Sequence, residues 1–165
     1  MIAWIIYTRI SISDDTDVET TYAGSAGCID CHEKFYQLWA PSHHGLAMQT
    51  ITPEFLDEHF TVLNSQPIQV DSSLFHVEIL NDSLKYIERV EGLQKTYPAI
   101  YALGGKNVFY FLTPFEKGRL QVLPLAYDLN RKEWYNNPQS ALRGFTNQED
   151  EILPWKHIGF TFNTS

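Results

Sequence analysis

Cysteine is scarce in this chain, with two among 165 residues. That excludes a disulfide scaffold, and the length makes one unnecessary. A chain of this size buries roughly 70% of its unfolded surface without covalent staples. Basic residues are also few, 12 Lys+Arg against 20 Asp+Glu, for a formal charge of −8. Nucleic-acid binding through counterion release needs clustered positive charge, so this balance argues against it. No apolar run approaches the ~20 residues that a membrane-spanning helix requires. Wholesale disorder is excluded as well, because 44% of the residues are hydrophobic and that share is ordinary for a globular chain. What remains is one acidic globular domain of ordinary size, with room for a small second one.

Both cysteines fall in one pentapeptide, Cys28-Ile29-Asp30-Cys31-His32, and four chemistries compete for it. A disulfide between positions three apart closes almost no loop and restrains little of the unfolded ensemble. A thioredoxin-like redox pair belongs between a strand and a helix. Here the preceding Thr20 to Gly27 segment is small and polar rather than a buried strand. A structural zinc site takes four ligands, usually from two paired motifs, and the chain has no second cysteine pair. Cys-x-x-Cys-His is, finally, the attachment signature of covalent haem c.

Haem attachment accounts for every part of that spacing. On a helix, positions 28, 31 and 32 share one face. Two thiols there can bond the two haem vinyl groups, and the next imidazole falls beneath the iron. Cys28 and Cys31 are therefore the expected covalent anchors and His32 the expected proximal axial ligand. Zinc, another metal and a redox pair are the weaker readings.

The sixth ligand is sought in the next segment. Apolar spacing predicts a helix over 29–40, with Phe35, Leu38 and Trp39 on one face. Pro41 stops it, and Ser42 is placed to cap a second short helix from His43 to about Gln49. Neighbouring helical positions point about 100° apart, so His43 and His44 cannot both face one iron. His44 and Met48, four apart, would share a face. A methionine at helical spacing is more often core packing than a ligand. His44 is thus the favoured distal ligand, with His43 and Met48 behind it. His59, His76 and His157 sit in unrelated segments. A second protein ligand closes the iron for electron transfer, whereas an open position suits chemistry on a small ligand such as a nitrogen oxide.

Beyond residue 50 the pattern becomes that of strands. Thr52-Pro53 predicts a cap and first turn for a short helix to about Glu58. The runs 75–80 and 84–90 alternate partly, and Asn81-Asp82-Ser83 between them signals a hairpin. The runs 107–112 and 119–123 flank a second hairpin loop, with Gly118 near its exit. Gly104-Gly105 marks a turn or a close backbone approach, for which the porphyrin is one candidate. The many Phe and Tyr residues of this section read as sheet core. The expected fold class is α+β, with short haem-binding helices followed by an antiparallel β-rich section.

Domain boundaries follow from the same patterns. Residues 1–20 read as a flexible leader or signal remnant: Met1 to Tyr7 is shorter than a usual signal core, and Asp14, Asp15, Asp17 and Glu19 make a solvated stretch. Residues 21–165 read as a single haem c domain, with 21–50 the attachment segment and 51–165 the β-rich section. Haem c is attached on the far side of the cytoplasmic membrane, so a periplasmic or extracellular location is expected.

Several stretches carry a family resemblance. Tyr22-Ala23-Gly24-Ser25, Cys28 to His32, Tyr36, Trp39, Ser42, His44, Ala47 and Met48 resemble the first haem segment of multihaem c-type cytochromes. These are tetrahaem-like and larger bacterial proteins with repeated Cys-x-x-Cys-His motifs, some with TPR repeats. A second block is similar to the β section that follows the first haem in such proteins. It comprises Tyr101, Gly104-Gly105-Lys106, Tyr110-Phe111-Leu112, Gly118 to Asp128 and Trp134-Tyr135, of which Gly118 to Asp128 is the most specific part. The resemblance covers about residues 22–165. It implies electron transfer through haem c iron, redox partner proteins and further haems on the same polypeptide. One haem motif is present where the family has several. The sequence is therefore expected to be an N-terminal piece of a longer multihaem protein, and His157 becomes a candidate ligand to a haem beyond it. The acidic balance points to a redox partner with a basic patch, docking more weakly as salt rises.

Overall fold

The computed structural model describes residues 25–60, 65–138 and 153–163. The leader expected at 1–20 and the Tyr22-Ala23-Gly24 stretch lie outside these residues. The chain divides into two compact units, Met1–Tyr36 and Gln37–Ser165. The described elements are mostly antiparallel strands with two short α-helices, an α+β composition weighted toward β.

A 3-10 turn, Ser25–Cys28, leads into helix α1, Ile29–Trp39, which begins in the first unit and ends in the second. This agrees with the helix expected over 29–40, with one difference. His32 has φ −129° and ψ 36°, outside helical values, so the hydrogen-bond ladder breaks there and the helix kinks. Cys28 ends the 3-10 turn rather than lying on a continuous helix with His32, which corrects the simple one-face picture. No side chain of α1 is buried. The expected apolar stripe exists in sequence, yet Phe35 is 67% and Leu38 73% exposed.

The second unit opens with a correction. In place of a second helix over 43–49, the chain makes a series of turns and then strand β1, Met48–Thr50. Ser42 does act as a cap, but for a single turn. Its Oγ accepts from the Gly45 N–H (3.3 Å), and its carbonyl accepts from the Leu46 N–H (2.9 Å). Gly45 presses on the preceding backbone, where an added Cβ would lie 2.4 Å from the Trp39 carbonyl oxygen. The chain then satisfies its backbone by pairing rather than by coiling, with Met48 opposite Leu103 and Thr50 opposite Tyr101. Tertiary pairing overrides the local helical pattern. His44 and Met48 therefore do not share a helical face.

Helix α2, Pro53–His59, matches its signal closely. Thr52 Oγ1 accepts from the Phe55 N–H at 3.3 Å, and Pro53 occupies the first turn, where its missing N–H costs nothing. Phe55 and Leu56 are buried.

Strands β2 (Ile68–Val70), β3 (Ser73–Leu80), β4 (Ser83–Val90) and β5 (Leu93–Pro98) form one antiparallel meander. The β3–β4 turn is the expected one, Asn81-Asp82, with φ of 50° and 54°. Positive φ at both central residues matches the right-handed twist of the flanking strands, and Asn and Asp tolerate it. Strands β6 (Tyr101–Gly104), β7 (Val108–Pro114), β8 (Leu120–Val122), β9 (Leu125–Asp128) and β10 (Glu133–Asn136) join β1 in a second sheet, ordered β1-β6-β7-β9-β10 with β8 also paired to β7. The hairpin expected between 107–112 and 119–123 is present, with Leu112 opposite Val122.

One core serves both sheets. Phe75, Leu84 and Tyr86 from the first sheet and Phe109, Phe111 and Leu125 from the second are fully buried, as the aromatic count suggested. Phe60 stacks on Trp134 with ring centroids 5.7 Å apart. Phe111 contacts Tyr86 and Trp134 at 6.0 and 5.4 Å. The Tyr86 hydroxyl donates to the Leu125 carbonyl at 2.8 Å, fastening β4 to β9. Burial pushes that phenol well above its ordinary pKa, so it acts as a permanent donor.

Residues 153–163 lie against β8. Gln121, itself fully buried, donates through Nε2 to the carbonyls of Trp155 (2.7 Å) and His157 (3.1 Å) and accepts from Thr161 Oγ1 (3.1 Å). Trp155 is buried. No helix among the described residues is long and apolar enough to cross a membrane.

Candidate functional site

The pentapeptide places two thiols and an imidazole in the open. Cys28 and Cys31 are unpaired and exposed, and His32 is exposed beside them. The donor set suits covalent haem c: two free thiols three apart and an adjacent imidazole with room around it. Zinc needs its ligands gathered around one point. Among the described residues no group of three or more His, Cys, Asp or Glu side chains is gathered in that way. Haem c would make no such demand on the protein, because four of the iron's ligands belong to the porphyrin.

The candidate distal residues separate. His43 and His44 lie in the turns before β1, both exposed. Met48 begins β1 and is 37% exposed. His157 caps a 3-10 turn, Ile158–Phe160, with its Nδ1 accepting from the Gly159 N–H at 3.0 Å. A neutral imidazole accepting at Nδ1 carries its proton on Nε2, whereas a histidine ligating through Nε2 holds that proton on Nδ1. In this arrangement His157 serves the turn. His76 pairs with Glu78, Nε2 to Oε1 at 2.7 Å.

A cleft of about 490 Å³ lies wholly within the second unit. Its polar lining is His43, Gln49, Glu58, His59 and Lys106. Phe109, Leu46 and Ala47 supply the apolar surface, and the backbone of Gly104-Gly105 closes one side. These glycines have φ of +100° and +127°, values that side chains rarely adopt. A Cβ on Gly104 would meet the Val108 carbonyl oxygen at 2.3 Å, and one on Gly105 would meet Gln49 Nε2 at 3.3 Å. The close approach expected of this pair is thus made to the chain's own backbone. His59 is wedged between Phe55 (4.6 Å between centroids) and Phe109 (4.9 Å). Its Nε2 stands 4.0 Å from Glu58 Oε1.

Sequence reasoning passed over this cleft. It treated His59 as an unrelated histidine and gave Glu58, Gln49 and Lys106 no role. The cleft joins three segments distant in sequence, and only the paired Gly104-Gly105 hinted at it.

A second polar cluster is structural. Glu88, 3% exposed, accepts from Ser73 Oγ (3.1 Å), Tyr97 Oη (2.7 Å) and Lys156 Nζ (3.0 Å). Burial raises its pKa, but hydrogen bonds from Tyr97, Lys156 and Ser73 and the Lys156 charge outweigh burial, so the carboxyl sits below its ordinary value of 4.5. Burial and the neighbouring carboxylate push the Tyr97 phenol up.

Compared with protein-family models, with curated proteins and with solved structures, the chain finds no match in any of the three.

Proposed function

We propose that this chain is an electron-transfer module of an exported, multihaem c-type cytochrome. One observation carries the reading: Cys28 and Cys31, both unpaired and exposed, stand immediately before His32. When bound, haem c supplies one-electron redox chemistry at its iron. Cys28 and Cys31 would hold it by thioether bonds, and His32 would ligate from the proximal side. His44, 12 residues on in sequence, remains the preferred distal ligand, ahead of His43 and Met48. The exposed Phe35 and Leu38 give the attachment helix apolar surface of the kind a porphyrin covers. The reading implies a location outside the cytoplasm, where attachment occurs, and acidic docking to a basic redox partner.

The test is expression with the haem-attachment machinery, followed by haem staining of the denatured protein and the reduced absorption spectrum with and without carbon monoxide. Wild type should keep its pigment through denaturation. Cys28→Ala/Cys31→Ala should lose it entirely, and His32→Ala should lose the low-spin spectrum. A colourless wild type, or a low-spin spectrum surviving His32→Ala, would overturn the assignment. A spectrum indifferent to carbon monoxide supports the closed, electron-transfer iron. A clear shift would instead favour a haem enzyme or small-ligand sensor.

A further inference from the structure

The cleft of the second unit holds polar groups that no other described residue engages. His43, Gln49 and Lys106 make no side-chain hydrogen bond or ion pair among the described residues. His59 has aromatic neighbours on two sides and, among the described residues, Glu58 at 4.0 Å as its ionic one. Two buried polar side chains elsewhere are, by contrast, fully engaged: Glu88 takes hydrogen bonds from three side chains, and Gln121 makes three. Side chains with unused capacity that converge on one concavity are the mark of a ligand site. The volume of about 490 Å³ falls within the roughly 300–1,000 Å³ typical of small-molecule sites.

The chemistry of the lining selects the ligand. Lys106 offers an ammonium, Gln49 an amide NH₂, and each imidazole an N–H donor, against a single carboxylate at Glu58. That excess of donors calls for an acceptor-rich, negatively charged group. Phe109, with Leu46 and Ala47, calls for an apolar body behind it. A divalent cation is disfavoured by Lys106, and among the described residues no gathered ligand set offers it a site. We propose that this cleft binds a small organic carboxylate, its acid group held by Lys106 and Gln49 and its apolar body against Phe109. The inference does not rest on the haem reading: Lys106, Gln49 and Phe109, which would hold the ligand, are not among the candidate iron ligands, and His43, which is, serves here only as a reporter.

Benzoate is the probe, and benzyl alcohol, with the same ring and no charge, is its control. Each is titrated into the holoprotein while the ring resonances of His43 and His59 are followed by NMR and the haem Soret band by absorption. Benzoate should move both histidines saturably in the millimolar range, with the Soret band unchanged, and benzyl alcohol should bind far more weakly. Lys106→Ala should weaken benzoate about tenfold by removing the charged donor. Glu58→Gln, a near-isosteric change on an exposed residue, should tighten it about twofold to fivefold by removing a like charge. Absence of saturation, equal binding of the alcohol, undiminished affinity in Lys106→Ala, or weaker binding in Glu58→Gln would each overturn the proposal. So would a Soret shift that tracks binding, because it would put the carboxylate on the iron.

Discussion

The β core and helix α1 treat their apolar side chains in opposite ways. In the β unit, Phe75, Phe109 and Phe111 show no exposed surface at all, and one aromatic cluster runs through both sheets. In helix α1 nothing is buried, and Phe35 and Leu38 are largely open. Its length of 11 residues is below the ~12–15 at which helices begin to hold alone in water. The β unit is thus a structure sustained by its own packing. Helix α1 instead leaves its apolar side chains in the open.

That contrast can be broken by substitution. Phe111→Ala removes a ring packed against Phe60, Tyr86, Phe109 and Trp134. It should lower the unfolding free energy by about 3–5 kcal/mol in denaturant titration; a loss below about 1 kcal/mol would deny the core its central position.

Glu88→Gln probes the polar side of the same unit. It should cost about 1–3 kcal/mol at neutral pH, and the cost should depend on acidity with a definite sign. The folded carboxyl titrates below its ordinary value of 4.5, so its stabilisation is fully present above that value and is lost as pH falls through the lower, folded one. Unfolding curves of wild type and variant should therefore converge in acid. Curves that stay parallel down to acid pH would contradict the network.

The smallest effect belongs to the helix. Leu38→Ala, in protein made without haem attachment, should shift stability by less than about 0.5 kcal/mol. A loss as large as that of Phe111→Ala would erase the contrast between the β core and α1.

The features that sequence made legible are the local ones. Thr52-Pro53 announced α2 because a cap and a first-turn proline act within four residues. Asn81-Asp82 and Gly118 announced their hairpins because a positive φ restricts residue choice at the turn itself. The Cys28-to-His32 pattern is just as local. The segment from His43 to Gln49 misled because its helical spacing was genuine, while the competing partner, Tyr101 to Leu103, lay more than 50 residues away. The same distance hid the cleft, whose lining comes from the turns before β1, the end of α2 and the β6–β7 loop. No window of sequence contains it.

The arrangement at β8 bears on how the molecule keeps to itself. A strand of three residues paired on one side to β7 would offer its other side to any passing chain. Thr161 takes that place opposite Gln121, and the Phe162 N–H donates to the Leu120 carbonyl at 2.8 Å. The Asn163 side chain accepts from the Leu120 N–H and donates to the Gly118 carbonyl, standing in for a neighbouring peptide group. The protein thus completes this rim with its own backbone and one amide side chain. What would be an invitation to polymerise becomes a sealed seam.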